Sequence, residues 1–289
     1  MTVMPWPGYA GFTAGSALPR TLVMVGPDSE YHLNALLTAQ TLGEDGGLPL
    51  GEMRVLSNVP NTETCQAVAR RFQLDYSFQP AGRQRYIEND PSRGMTPERL
   101  AHMDWVAAQW TSFQPDLVVL AKYMVVLEPE VLDLLPWRVI NIHHGILPAF
   151  QGRYALAAAV QAGTDFTGAT CHFATAVLDQ GPIIHQVAFP IDRHADTYTG
   201  EVTDVVARDI PCMKEAETIA LLEGLGFYLR GQLELVRNDG LGKAQVPEEM
   251  RKDYRVRQRG HHGIDTSRFG DFNFLRAAWK FYFARTGLL

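Results

Sequence analysis

Asp116-Leu-Val-Val-Leu120, Pro129-Glu-Val-Leu-Asp-Leu-Leu135 and Arg138-Val-Ile-Asn-Ile142 follow one another along the chain, and their order decides the fold class. The first is an unbroken apolar run of strand length. The second begins with proline near N1, where a helix tolerates a missing N–H. The third is apolar again. Thr21-Leu-Val-Met-Val25, closed by Gly26-Pro27, and Met53-Arg-Val-Leu56, closed by Ser57-Asn58-Val-Pro60, read as further strands. Helices are expected over His32 to Thr41, with Asp28 and Ser29 as caps, over Thr62 to Phe72 and over Pro97 to Thr111. Residues 80–96 read as a loop. Beyond position 142 the pattern predicts a helix over Tyr154 to Gln161 and strands over Thr167 to Thr175 and Ile183 to Phe189. Helices over Thr197 to Val206 and Met213 to Val236 follow. The alternation indicates α/β architecture with a largely parallel sheet, in which sites lie at the carboxyl ends of strands. Residues 1–20 read as an irregular N-terminal arm, 21–236 as the catalytic domain and 237–289 as a C-terminal extension.

The chain has 289 residues, 46% hydrophobic and 20% charged, enough for a sizeable core and typical of a globular protein. Its net charge of −6 gives no electrostatic case for nucleic acid or an anionic membrane as partner. The three cysteines, Cys65, Cys171 and Cys212, are far apart and form no CxxC pair, so a reducing cytoplasm is the expected compartment. No signal peptide is read at the N-terminus, and no apolar run approaches the roughly 20 residues of a membrane span.

The chemistry concentrates in Asn141-Ile-His-His-Gly-Ile-Leu-Pro-Ala-Phe150, where a strand runs out into a loop, and in Leu178-Asp-Gln-Gly-Pro-Ile-Ile184. His143 is the leading acid–base candidate, because imidazole titrates near neutral pH. Asn141 is a candidate donor to a carbonyl oxygen gaining charge, and Asp179 a candidate carboxylate to orient and support His143. Each alone has a plain structural reading: a loop hydrogen bond, a strand-end cap, a turn residue. The three together favour chemistry on a carbonyl. His144 and His172 are ambiguous, and Lys122 and Tyr123 line a pocket or pack in the core. With His185 and His194 the histidines invite a metal reading, but no HExxH, HxH or Cys/His pattern accompanies them, so no metal is expected. Gly26-Pro27-Asp28-Ser29 is neither a dinucleotide nor a P-loop pattern. Arg251, Lys252, Arg255, Arg257 and Arg259 read as a solvated basic face, His261-His262 as a loop, and the Phe272 to Arg285 aromatic stretch as core or a homodimer interface.

Asn141-Ile-His143, Leu147-Pro148, Gly168-Ala-Thr-Cys-His172 and Leu178-Asp-Gln-Gly-Pro-Ile-Ile184 resemble the folate-dependent formyltransferase superfamily over roughly residues 20–235. With Val118-Val-Leu-Ala-Lys-Tyr-Met124, the doubled histidine and Leu147-Pro-Ala-Phe150, the strongest likeness is to its 10-formyltetrahydrofolate deformylase branch. The resemblance implies a Rossmann-like formyltransferase fold and N10-formyltetrahydrofolate as co-substrate. It implies Asn141, His143 and Asp179 as the catalytic set, with Met124, Val125, Leu127, Thr175, Ala176, Val177 and Leu178 cradling the pterin. His144, Arg153 and Lys122 are candidate substrate contacts. The chain departs from the deformylase pattern in Gln151-Gly-Arg-Tyr-Ala-Leu-Ala-Ala158, which lacks a Pro-Tyr-His-Gln run, in having no regulatory ACT segment before the first strand, and in residues 237–289. These departures favour transfer of the formyl group to a small amine. Hydrolysis to formate and tetrahydrofolate, with water as acceptor, is the alternative, and an inactive folate-binding protein the third reading.

Overall fold

The computed structural model describes residues 3–4, 16–43, 47–59, 63–81, 96–191, 202–237 and 254–258. Most of the 80–96 loop, the start of the helix expected from Thr197, the Phe272 to Arg285 stretch, His194 and His261-His262 lie outside them. Within them the elements run β1 (Val3–Met4), β2 (Thr21–Val25), α1 (Glu30–Leu42), β3 (Met53–Ser57), α2 (Glu63–Arg71), β4 (Asp75–Phe78), α3 (Pro97–Phe113) and β5 (Leu117–Ala121). They continue with α4 (Pro129–Leu132), β6 (Val139–His143), α5 (Ala155–Gln161), β7 (Phe166–Phe173), β8 (Ile183–Pro190), α6 (Val202–Leu229), β9 (Leu233–Arg237) and β10 (Tyr254–Gln258).

Seven strands form one sheet in the order β4-β3-β2-β5-β6-β7-β8. β4 through β6 pair in parallel; β7 is antiparallel to both β6 and β8. The α/β, mostly parallel reading is therefore correct. β2 and β5 are buried at every position, as the apolar runs require of strands covered on both faces. The two-residue period divides β2 between two cores. Leu22 and Met24 pack with Met103, Val106, Trp110 and Phe113 of α3, while Val23 and Val25 join Leu33, Leu36 and Leu37 of α1 and Leu221 and Leu225 of α6.

The sheet order reverses at β2, whose neighbours are β3 on one side and β5 on the other. Loops leaving β2 and β5 diverge there and open a crevice at the strands' carboxyl ends. Gly26 keeps the crevice tight at its base: a Cβ on it would lie 2.0 Å from the Lys122 carbonyl oxygen. Ser29 is the first cap residue of α1, yet its hydroxyl bonds the Gly26 carbonyl and amide rather than the helix.

Three expectations need correction. The two helices expected beyond Thr197 and Met213 are one helix, α6, which runs through Pro211. Val206 before the proline and Met213 after it both pack on the same core, so tertiary contact carries the helix across the missing N–H. Its expected end at Val236 falls instead at Leu229, and after Gly231 (φ 63°) the alternating Leu233-Glu-Leu-Val-Arg237 becomes β9. β9 pairs with β10 and with Val3–Met4 of the arm expected to be irregular.

Candidate active site

Asn141 and His143 leave the end of β6, and the antiparallel register sets His172 of β7 opposite Asn141. The turn after β7 returns Asp179 to the same place, with its backbone at φ 53°. His143 Nδ1 lies 3.4 Å from Asp179 Oδ2, and both side chains are almost fully buried. Asp179 Oδ2 accepts from the Gly152 amide at 2.8 Å. The three residues expected to act together therefore do converge.

Donor and acceptor roles follow from the fixed partners. His143 Nε2 is 3.0 Å from the Phe150 carbonyl oxygen, which only accepts, so Nε2 carries the hydrogen. Nδ1 is then the nitrogen that takes up a proton, facing the Asp179 carboxylate. Burial pulls the His143 pKa below its ordinary 6.5; Asp179 opposes that shift and His144 adds to it. The resting ring is neutral near pH 7, and a proton reaching Nδ1 meets a carboxylate that stabilises it.

His172 follows the same logic. Its Nδ1 donates to the Phe173 carbonyl at 2.9 Å, leaving Nε2 to accept from Asn141 Nδ2 at 3.1 Å. Burial holds its pKa down to about 4, so it stays a neutral acceptor. Asn141 is thereby fixed with its NH2 toward His172, and its second N–H is free to meet an oxyanion. The sequence left His172 ambiguous. Only the β6–β7 register reveals its role.

These groups form one end of a cavity of about 380 Å³. Leu120, Tyr123, Val125, Leu127, Leu132 and Ala174 supply apolar wall, with Met124, Thr175 and Leu178 at its edge. Of the expected pterin cradle, the whole Met124-Val-Val-Leu127 segment reaches the wall, as do Thr175 and Leu178; Ala176 and Val177 are exposed beside it and do not. The size falls within the roughly 300–1,000 Å³ usual for small-molecule sites, and mostly apolar walls with a few convergent polar groups suit a small organic ligand. α3 holds the Tyr123–Glu128 loop in place. Arg99 donates to Glu128 Oε1 at 2.7 Å and to the Val126 carbonyl at 2.8 Å, and His102 Nε2 meets the Tyr123 hydroxyl.

Lys122, His144 and Arg153 also line this cavity. His144 is held by the Arg153 carbonyl at 2.8 Å, and the Arg153 guanidinium lies over the Tyr154 ring. A second cavity of about 390 Å³ shares Pro27, Lys122, Met124, His144 and Arg153 with the first. Lys214 and Glu217 of α6 line its far side; neither was singled out from sequence. Among the described residues, no group of three or more His, Cys, Asp or Glu is placed to hold a metal ion, and no helix is long and apolar enough to cross a membrane.

The family model described as Formyl transferase matches residues 50–208, over half of the 289-residue chain. The chain belongs to the formyl transferase family. Formyltetrahydrofolate deformylase of Haemophilus influenzae is 44% identical over 140 residues, 48% of this chain and 47% of that protein. Among solved structures, glycinamide ribonucleotide transformylase 1 from Symbiobacterium toebii superposes with a TM-score of 0.63 at 26% identity, over 86% of this chain and 100% of that one. A formyltetrahydrofolate deformylase from Pseudomonas syringae pv. tomato superposes with a TM-score of 0.59 at 26% identity, over 76% and 63%. The chain spans about half the length of these curated relatives, the Haemophilus influenzae deformylase and that of Escherichia coli. The formyl transferase fold expected from the sequence is correct.

Proposed function

We propose that this member of the formyl transferase family hydrolyses 10-formyltetrahydrofolate to tetrahydrofolate and formate. The observation that carries the reading is the 44% identity to a formyltetrahydrofolate deformylase. It supports the hydrolytic alternative over the amine N-formylation that the sequence favours.

The site supports the chemistry in the following order. In this reading the pterin packs between the apolar walls at Val125, Leu127 and Leu178, and the formyl group carried on N10 points toward Asn141. Water attacks the formyl carbon as His143 Nδ1 takes its proton. The oxyanion accepts from Asn141 Nδ2, whose other N–H is engaged by His172. Asp179 stabilises the imidazolium for the life of the intermediate. The bond from carbon to N10 then breaks, N10 receives the proton from His143, and formate leaves with its remaining proton lost to solvent.

Amine transfer keeps one supporting observation, the second cavity beside the site, where one oxygen of the buried Glu217 has no hydrogen-bond partner among the described residues. Purified protein given 10-formyltetrahydrofolate and no amine separates the two. Formate and tetrahydrofolate released in equal amounts is the expected result; release that waits for an added amine would overturn the hydrolytic reading.

A further inference from the structure

Lys122 directly follows β5 with φ at 54°, a left-handed conformation in which glycine is unstrained and a lysine is not. Its side chain explains why a lysine is held there. The ammonium lies 3.6 Å from Glu217 Oε2 and 5.1 Å over the Tyr31 ring. The Tyr31 hydroxyl donates to the same carboxylate oxygen. Glu217 is completely buried on α6, and its Oε1 has no partner among the described residues. Lys122 is also one of the residues common to the walls of both cavities.

The second cavity has the chemistry to hold a small primary amine. Glu217 offers a carboxylate for an ammonium group, Lys214 and Arg153 offer cations for an anionic substituent, and Leu156 and Met213 offer apolar wall. Lys122 occupies the carboxylate such an amine would use, and its chain stands in the wall between that cavity and the one holding Asn141 and His143.

We propose that Lys122 is a specificity-determining residue that makes water the acceptor, by walling the second cavity off from the formyl site and engaging Glu217 in place of an amine. The strained backbone is retained because glycine, though relaxed there, would open the wall. With the wall open, the ammonium first gives one proton to the Glu217 carboxylate, which passes it to solvent; the freed amine nitrogen attacks the formyl carbon and the carbon–N10 bond breaks. The proton lost by the amine passes through His143 to N10, giving N-formyl amine and tetrahydrofolate without formate. The inference rests on the hydrolytic reading above.

The test follows product partition in Lys122→Gly with ethanolamine and phosphoethanolamine as probes, measuring tetrahydrofolate, formate and N-formyl amine together. Wild type gives formate equal to tetrahydrofolate at every amine concentration. In Lys122→Gly the ratio of N-formyl amine to formate rises by about tenfold or more, since opening an acceptor site acts on relative transition-state binding. Adding Glu217→Gln to that variant abolishes the gain. Binding of an unreactive folate analogue shows that the variant's site is formed; if it is not, Lys122→Ala serves in its place. Formate as sole product from a variant that binds the analogue, beside a wild type that hydrolyses, overturns the inference alone. A wild type that releases no formate without amine overturns the hydrolytic reading instead. A gain that persists without the Glu217 carboxylate overturns the proposed amine anchor.

Discussion

The main cavity is bounded by two walls held in different ways. At the reactive end, His143, His172 and Asp179 are fixed by backbone groups: the Phe150 and Phe173 carbonyls and the Gly152 amide. Across from it, the wall formed by Lys122 and the Tyr123–Glu128 loop is fixed by ionised side chains, Lys122 to Glu217 and Arg99 to Glu128. The contrast has a physical reason. An acid–base group needs a set tautomer, and a carbonyl or amide partner imposes one without titrating. A wall that only shapes the cavity is free to use charge pairs. Damage to the reactive end therefore shows in turnover and pH dependence, and damage to the opposite wall in binding and product choice.

The largest effect is expected at His143. His143→Ala should lower kcat by about 100-fold or more, the scale of losing a general acid–base group. Near-normal turnover in single-turnover assays would break the assigned role. Asp179→Asn comes next, with a loss of about tenfold to a hundredfold, because the imidazolium loses its carboxylate. Its direction on pH is also fixed. Asp179 raises the His143 pKa, so removing its charge lowers that pKa further. His143 acts as a neutral base, so wild-type kcat/KM falls as pH drops through its pKa, below the ordinary 6.5. In Asp179→Asn that acid limb moves to lower pH. A limb displaced upward would contradict the pairing seen at 3.4 Å.

The same two walls differ in how far they could be read from the chain. β2 and β5 were legible because strands buried on both faces need unbroken apolar runs. Asn141, His143 and Asp179 were legible because each sits at a strand end or turn within a spaced motif. β4 was not: Asp75-Tyr-Ser-Phe78 is a short edge strand exposed at both ends, with no apolar run to mark it. Pro211 pointed to a break that packing on either side overrides. His172 depends on the register between β6 and β7, a long-range pairing with no local pattern. Glu217 looks like any polar residue along α6, and only the approach of Tyr31 and Lys122 distinguishes it. Arg99 looks like an ordinary first-turn helix residue until the loop it holds is in place.

His172 gives the next smaller effect and tests whether neutrality matters at the reactive end. His172→Phe should lower kcat by about tenfold with KM little changed, since Asn141 loses the acceptor that orients its amide. Stability carries a second signature. The folded pKa of about 4 lies below the ordinary 6.5, so between those values unfolded chains bind a proton that folded ones do not. Folded protein is therefore destabilised as pH falls across that window. The melting temperature of His172→Phe should fall less steeply there than that of wild type. Parallel curves would show that His172 is not the buried neutral base described.

Arg99 sharpens the comparison from the opposite wall. Its guanidinium binds both the Glu128 carboxylate and the Val126 carbonyl, so it sets loop position by charge and by hydrogen bonding at once. The Glu128 side chain is 22% exposed, so water can solvate it when Arg99 is lost. The penalty should fall well below the ~3–5 kcal/mol of breaking a fully buried pair, at about 1–2 kcal/mol. Arg99→Met should raise the KM for the folate substrate several-fold, about threefold to tenfold, while kcat stays within about twofold, because the loop contributes binding and not proton transfer. Arg99→Lys should recover the ion pair but not both hydrogen bonds, and so only part of the KM. A fall in kcat with an unchanged KM would place the α3 contact in the chemical step and erase the division between the two walls.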